Sequence, residues 1–376
     1  MLADDLNAVR YQGKRHTGFY EVYYLTAQDP ASGDAYWFRY TLSIPHEGQG
    51  EPEVGVWAIA TPAANPKGGL ALHDRMPLAK FVDKSSDEKG FRVEFGKFFL
   101  ERNRSTGKVG TGDRSIEWDL KWEPNGIGFE HVGSALMLLR VASAAINAAH
   151  LSVAVEGTIK VGGKAIPVKG WKGQQAHTWG RKHADAWAWA HCADFAEDKD
   201  AVFEGLSARV RKLGVLLPAA TPLFFRHRGV EHRWVDVTTL WSSKSETGAR
   251  RWDFEAENAS VLLRGTATAP ADRSIGVELR DPDGESQFVA HATNGDLKLE
   301  VWKRVGLRWD LDVTLTSKGT TAFEVASRTR DGGCGRTLDV VDTKDFVEEA
   351  PKPAPKPAAP AAPAAAKPPA PAAPKA

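Results

Sequence analysis

The sequence predicts an all-β protein of two antiparallel domains, each a barrel or a sandwich, followed by a tail that does not fold. Three observations lead there. Apolar residues alternate with polar ones at period two over most of the chain, which is the pattern of half-buried strands. Clusters of Gly, Pro, Asn and Asp separate those runs at hairpin spacing. The chain has 376 residues, too many for one core of ordinary size. The expected organisation is a first β domain over 1–148, a second over 149–346, and a disordered Pro/Ala-rich tail over 347–376.

The alternation is clearest in Ile116-Glu117-Trp118-Asp119-Leu120-Lys121-Trp122. There the apolar side chains share one face and the charges the other. Val153, Val155, Gly157, Ile159 and Val161 repeat the pattern and run into Gly162-Gly163, so a hairpin is expected. Asp281-Pro282-Asp283-Gly284 and Asn294-Gly295 give two further hairpin signals. Many short strands between such turns argue for sheets that close or stack. Residues 133–149 break the pattern, being rich in Ala and Leu without alternation. They read as a short helix or an irregular crossover between the domains. From Pro351 the chain is Pro, Ala and Lys alone, a composition that buries almost nothing and favours extended polyproline conformations. Its plain reading is a solvated spacer. The functional alternative is a weak tether, through its lysines, to an acidic surface.

Composition narrows the function classes. Lys and Arg number 49 against 48 Asp and Glu, so no broad positive field points to nucleic acid. Two cysteines, Cys192 and Cys334, require no disulfide framework. The start, Met1-Leu2-Ala3-Asp4-Asp5, has neither a basic run nor an apolar core. The expectation is therefore a cytoplasmic chain with no integral membrane contact. Nucleotide, P-loop and nucleophile-elbow motifs are missing from the sequence. His177, His183 and His191 lie in one window, but their spacing matches no zinc pattern, so neither a metal nor a cofactor is expected. The 13 tryptophans suit pockets as well as cores, because Trp offers a large apolar area and one N–H donor.

The densest segment is 170–195, GWKGQQAHTWGRKHADAWAWAHCADF. Trp187, Trp189, His191 and Phe195 share one parity, and Ala186, Ala188, Ala190 and Cys192 the other. A strand apolar on both faces is buried on both. The aromatic face is expected to line a core or a cavity. The string His177-Thr178-Trp179-Gly180, followed by a Trp-x-Trp-x-His strand ending at Asp194-Phe195, resembles the lipocalin-like superfamily of tocopherol cyclases and carotenoid hydratases. Gly18-Phe19-Tyr20-Glu21, Trp37-Phe38-Arg39-Tyr40 and Ile116-Glu117-Trp118-Asp119-Leu120 are similar to its bacterial branch. Where tocopherol cyclases usually carry Asn-Trp-Gly, this chain has Thr178-Trp179-Gly180.

The resemblance implies two lipocalin-like β domains side by side, with a pocket for a small hydrophobic, isoprenoid- or polyketide-like ligand. It implies either cofactor-free cyclisation or hydration, or storage and delivery without chemistry. Alkene protonation needs a positioned acid and a dry pocket, and aromatic faces stabilise the resulting cation. On this reading Trp179, Trp187, Trp189, His191 and Phe195 are candidate ligand contacts, and His177 and Asp194 candidate proton donors. The structural reading of each stands beside it: His177 holding a turn, His191 a core wall, Asp194 capping the strand end, the tryptophans packing a core. Glu21 and Arg39, in neighbouring strands, read as a buried or half-buried ion pair that fixes register. The alternative is that Arg39 meets a ligand carboxylate or carbonyl.

Overall fold

The computed structural model describes residues 3–13, 18–124, 128–132, 144–330, 336–337 and 339–341. Almost every element is a strand. In chain order the first are β1 (Phe19–Gln28), β2 (Ala35–Ile44), β3 (Glu53–Thr61), β4 (Leu70–Pro77), β5 (Phe81–Asp83), β6 (Arg92–Phe95), β7 (Phe98–Glu101), β8 (Arg104–Thr111), β9 (Arg114–Trp122), β10 (Phe129–Glu130), β11 (Ala144–Val161), β12 (Lys164–Gly180), β13 (Ala186–Cys192) and β14 (Val202–Arg209). The first twelve form one sheet, in the order β4-β3-β2-β1-β12-β11-β9-β8-β7-β6-β5, with β10 beside β11 and the late strand Asp339–Val341 parallel to β4 at its edge. This sheet curls until β4 returns against β8 and β9. The second sheet runs through β14, β13, Arg308–Ser327, Ser286–Val305 and Val261–Thr268. The chain thus holds two curled, mostly antiparallel, lipocalin-like sheets. It leaves the first sheet at Gly180 and enters the second at Ala186, downstream of the expected division at 148/149.

Three cores follow from strand parity. Ile116, Trp118, Leu120 and Trp122 all point into the first sheet's interior, with Tyr23, Phe38, Tyr40 and Phe98. Ala188, Ala190 and Cys192 point into the second, with Phe203, Trp234, Trp252 and Phe254. The third core lies between the sheets and contains Tyr24, Trp37, Trp57, Trp189, Val277 and Val289. β1 and β2 therefore bury both faces, one in their own barrel and one against the second sheet, as their nearly continuous burial records.

The hairpin at Gly162-Gly163 forms as expected, both glycines adopting positive φ (55° and 81°) that side chains resist. The Asp281–Gly284 turn also forms, with Gly284 N–H donating to Asp281 C=O. Two expectations are corrected. Asn294-Gly295 is not a hairpin: it lies inside the long strand Ser286–Val305, where the pairing register slips between Ala292 and Leu297. That slip lets one strand pair with Ile275–Arg280 through its first half and with Val261–Thr268 through its second. Residues 144–149, read as helix or crossover, are the start of β11, buried at Ala145, Asn147, Ala148 and Ala149. The remainder of that segment, Cys334 and the Pro/Ala-rich tail fall outside the described residues.

Candidate functional site

Two adjoining cavities occupy the space between the sheets. The first, about 200 Å³, has apolar walls from Val22, Trp37, Trp187, Trp189, Leu206 and Leu279. The second, about 960 Å³, is more polar and lies over the outward face of β2, β3 and β4. Tyr20, Val22, Arg39, His183 and Leu279 line both.

His183 sits where the chain crosses from one sheet to the other. Its ring stacks between Tyr20, at 4.0 Å, and Trp187, at 5.8 Å. Its Nδ1 lies 2.6 Å from Asp281 Oδ1, and its backbone N–H donates to the same oxygen at 2.9 Å. Arg328 Nη1 stands 2.6 Å from the other carboxylate oxygen. Burial would raise the Asp281 carboxyl, but the bonds from His183 outweigh it and hold it below the ordinary range. Burial also lowers the His183 pKa despite Asp281, so the ring is neutral near pH 7. With Nδ1–H committed to Asp281, Nε2 carries the lone pair.

The other carboxylates around the first cavity are ionised too. Burial pushes Glu204 up, yet the bonds it receives outweigh this and bring it down from 4.5 to about 2. It accepts from His131 Nε2 (2.8 Å), His191 Nδ1 (3.0 Å), Trp189 Nε1 (2.7 Å) and Gln174 Nε2 (2.8 Å). Glu324 is likewise held low against its burial, chiefly by His291 Nδ1 at 2.8 Å. Tyr20 and Tyr24 are shifted the opposite way, because burial penalises the phenolate; both stay protonated donors. Among the described residues no group of three or more side chains is arranged to hold a metal ion.

The candidates from the sequence divide. Trp187, Trp189 and Arg39 line the first cavity. His191 lies beneath it as a donor to Glu204. His177 does not reach it. In β12, Thr178 faces the cavity, so His177 and Trp179 face the first barrel, opposite Tyr23 and Glu21 of β1. There His177 bonds Glu21 Oε1 and the Leu6 carbonyl, each at 2.8 Å, and Trp179 lies under Arg10 at 4.9 Å. Asp194 follows the end of β13 and pairs with Lys199 Nζ at 2.9 Å. Phe195, beyond that strand end, packs in the second core. The expected Glu21–Arg39 ion pair does not form, because the register sets Arg39 opposite Tyr24 and Glu21 opposite Leu42, on opposite faces. Sequence reasoning did not single out His183 as bonded to a carboxylate beside the cavity, nor Asp281, Glu204, Tyr20 and Tyr24 around it. Asp281 was visible only as a turn residue.

The family model for tocopherol cyclase-like proteins matches residues 137–327, just over half the chain. The chain belongs to that family. It is 25% identical over 294 residues to an uncharacterized protein of Mycobacterium tuberculosis, covering 76% of this chain and 82% of that one. Among solved structures, CghA superposes with a TM-score of 0.54 at 8% identity, over 84% of this chain and 90% of its own, which supports the fold alone. Kievitone hydratase from Nectria haematococca is also similar, at 9% identity and a TM-score of 0.44, over 85% of this chain and 94% of its own. No described helix is long and apolar enough to cross a membrane.

Proposed function

We propose that this tocopherol cyclase-like protein binds a small hydrophobic, isoprenoid- or polyketide-like molecule between its sheets and acts on it by cofactor-free cyclisation or hydration. The observation that carries the reading is the His183–Asp281 pair opening onto a cavity with aromatic walls. A neutral imidazole whose tautomer is fixed by a carboxylate is a general base near pH 7. The ionised state of Asp281, Glu204 and Glu324 argues against a carboxylic acid protonating an isolated alkene. It favours a substrate that carries a carbonyl. In hydration of a carbonyl-conjugated alkene, water adds to the β-carbon and its proton passes to His183 Nε2. The imidazolium then returns a proton to the α-carbon, so one water is added in all. Tyr20 or Tyr24 supplies the hydrogen bond to the carbonyl oxygen as charge develops there. His177 acts as a positioning residue that fixes β1 from the opposite face, and Asp194 as a brace for the turn after β13.

The test is to purify the full chain, identify co-purifying lipids by mass spectrometry, and titrate the protein with the neutral lipophilic dye Nile red. Saturable dye binding is expected. Ala208→Trp, which fills the first cavity, should weaken it by roughly tenfold or more. Unchanged binding in that variant would remove the cavity from the function. Once a substrate is known, His183→Gln should lower turnover by roughly a hundredfold. Retained ligand without turnover would favour a carrier, a reading supported by the seclusion of His177 and Asp194 from the cavity.

A further inference from the structure

Three polar groups in the wall of the second cavity, from Arg39, Trp57 and Thr41, are buried without a hydrogen-bond partner among the described residues. Ala176, Tyr24, Arg39, Trp57 and His73 are cross-strand neighbours across β12, β1, β2, β3 and β4, all on the face turned to the second sheet. Arg39 is 7% exposed and Trp57 6%. The Arg39 guanidinium lies over Trp57 at 5.2 Å and Trp37 at 5.8 Å, yet its Nε has no hydrogen-bond partner. Trp57 Nε1 and Thr41 Oγ1, beside it in the same wall, are also buried without partners. Burial lowers the Arg39 pKa to about 10, which still leaves it charged at neutral pH.

Buried donors are ordinarily satisfied, and a buried cation without a bonded anion is costly. The carboxylates nearby are bonded to other partners, and of these Glu324 reaches Arg39 through its charge alone. Glu53 is bonded to Arg75 (2.6 Å), Glu278 to Arg330 (3.2 Å), Asp281 to His183 and Arg328, and Glu324 to His291. A guanidinium whose Nε–H is unpartnered, flanked by an unpartnered indole N–H and a hydroxyl, matches the donor demand of a carboxylate. Because Arg39 lines both cavities, an anion held there would leave an attached apolar chain in the aromatic cavity.

We propose that Arg39, Trp57 and Thr41 form a headgroup subsite for the carboxylate of a long-chain apolar acid whose hydrocarbon part occupies the aromatic cavity. This rests on the reading of that cavity as the lipophilic site.

The experiment compares dodecanoate with 1-dodecanol on the full chain, by isothermal titration and tryptophan fluorescence below the solubility limit of each. The acid is expected to bind roughly tenfold tighter than the alcohol. Arg39→Met should abolish that preference, dodecanoate affinity falling by roughly tenfold more than dodecanol affinity. Arg39→Lys should keep part of the preference, and Thr41→Val should weaken the acid by roughly threefold with no effect on the alcohol. Circular dichroism checks each variant's fold, and the wild-type comparison stands without any variant. Equal binding of acid and alcohol, or a preference that survives Arg39→Met, overturns the subsite while leaving the lipophilic cavity intact. Failure of both probes to bind overturns the subsite together with the reading beneath it.

Discussion

Two histidine–carboxylate pairs, His177 buried in one and His183 half-buried in the other, lie six residues apart in the chain and face opposite ways. His177–Glu21 points into the first barrel, stacked on Tyr23 at 4.2 Å. Glu21 there accepts from Tyr23 Oη (2.8 Å), Arg10 N (2.7 Å) and Tyr11 N (2.9 Å) as well as from His177. That carboxylate ties the N-terminal arm to β1 and β12, and both ring nitrogens of the histidine are occupied. His183–Asp281 uses the same chemical groups at the crossing between sheets, with one ring nitrogen committed and the ring lining both cavities. The same pair serves as a fastener where it is enclosed and as a candidate base where it meets space. Chemistry alone does not separate them; exposure to a cavity does.

The largest expected effect is at Glu21. Glu21→Ala strips the acceptor from His177, Tyr23 and two backbone N–H groups at once, which should cost about 3–5 kcal/mol. The melting temperature should fall by on the order of 10 °C, while the folded protein binds Nile red as before. A variant that keeps its stability but loses dye binding would show that the enclosed pair communicates with the cavity.

How much of this was legible follows from the reach of strand parity. Within one strand parity is reliable: it grouped Trp118 with Trp122, and Trp187 with Trp189, as the structure does. It is silent on which of two buried faces meets a cavity, and β12 buries both, so His177 and Thr178 could not be told apart. It also ends with the strand, which is why Phe195 strays from Trp189. Register between strands is invisible to it, and one residue of register sets Arg39 and Glu21 back to back. His183 lies off any strand, and its partner Asp281 is 98 residues away. The turn composition that identified Asp281 gave no hint that its carboxylate faces a histidine. The fold class, by contrast, is the sum of many local alternations and survives errors in any one of them.

A second, somewhat smaller effect sharpens the contrast between enclosed and open carboxylates. Glu204 has its pKa lowered in the folded chain from 4.5 to about 2. A depressed carboxyl contributes stability that is fully present above the unfolded value and is lost as pH falls toward the folded one. Stability should therefore decline between about pH 4.5 and 2, by on the order of 3 kcal/mol from this group. Chemical denaturation across that range measures it. Glu204→Gln should be less stable at pH 7 and show a flatter acid limb. An acid limb unchanged by that substitution would mean that its bonds to His131 and His191 do not govern its ionisation.

The smallest expected effect is at Asp194, and it bears on the division of labour between the two ends of β13. Asp194 Oδ1 meets Lys199 Nζ at 2.9 Å, but that lysine side chain is 66% exposed. Water and salt screen the pair, so its net contribution is below about 1 kcal/mol. The Asp194 backbone carbonyl does more, accepting from Cys192 Sγ at 3.6 Å and Thr320 Oγ1 at 3.3 Å, and substitution of the side chain leaves that carbonyl in place. Asp194→Asn should accordingly lower stability by less than about 1 kcal/mol and leave both Nile red affinity and any turnover unchanged. The start of β13, by contrast, holds Trp187 against His183, and Trp187→Ala should weaken dye binding because it removes an aromatic wall of the cavity. If Asp194→Asn instead cost roughly a hundredfold in turnover with affinity intact, a proton would have to pass through Asp194. The chemistry would then lie at the far end of the strand from His183.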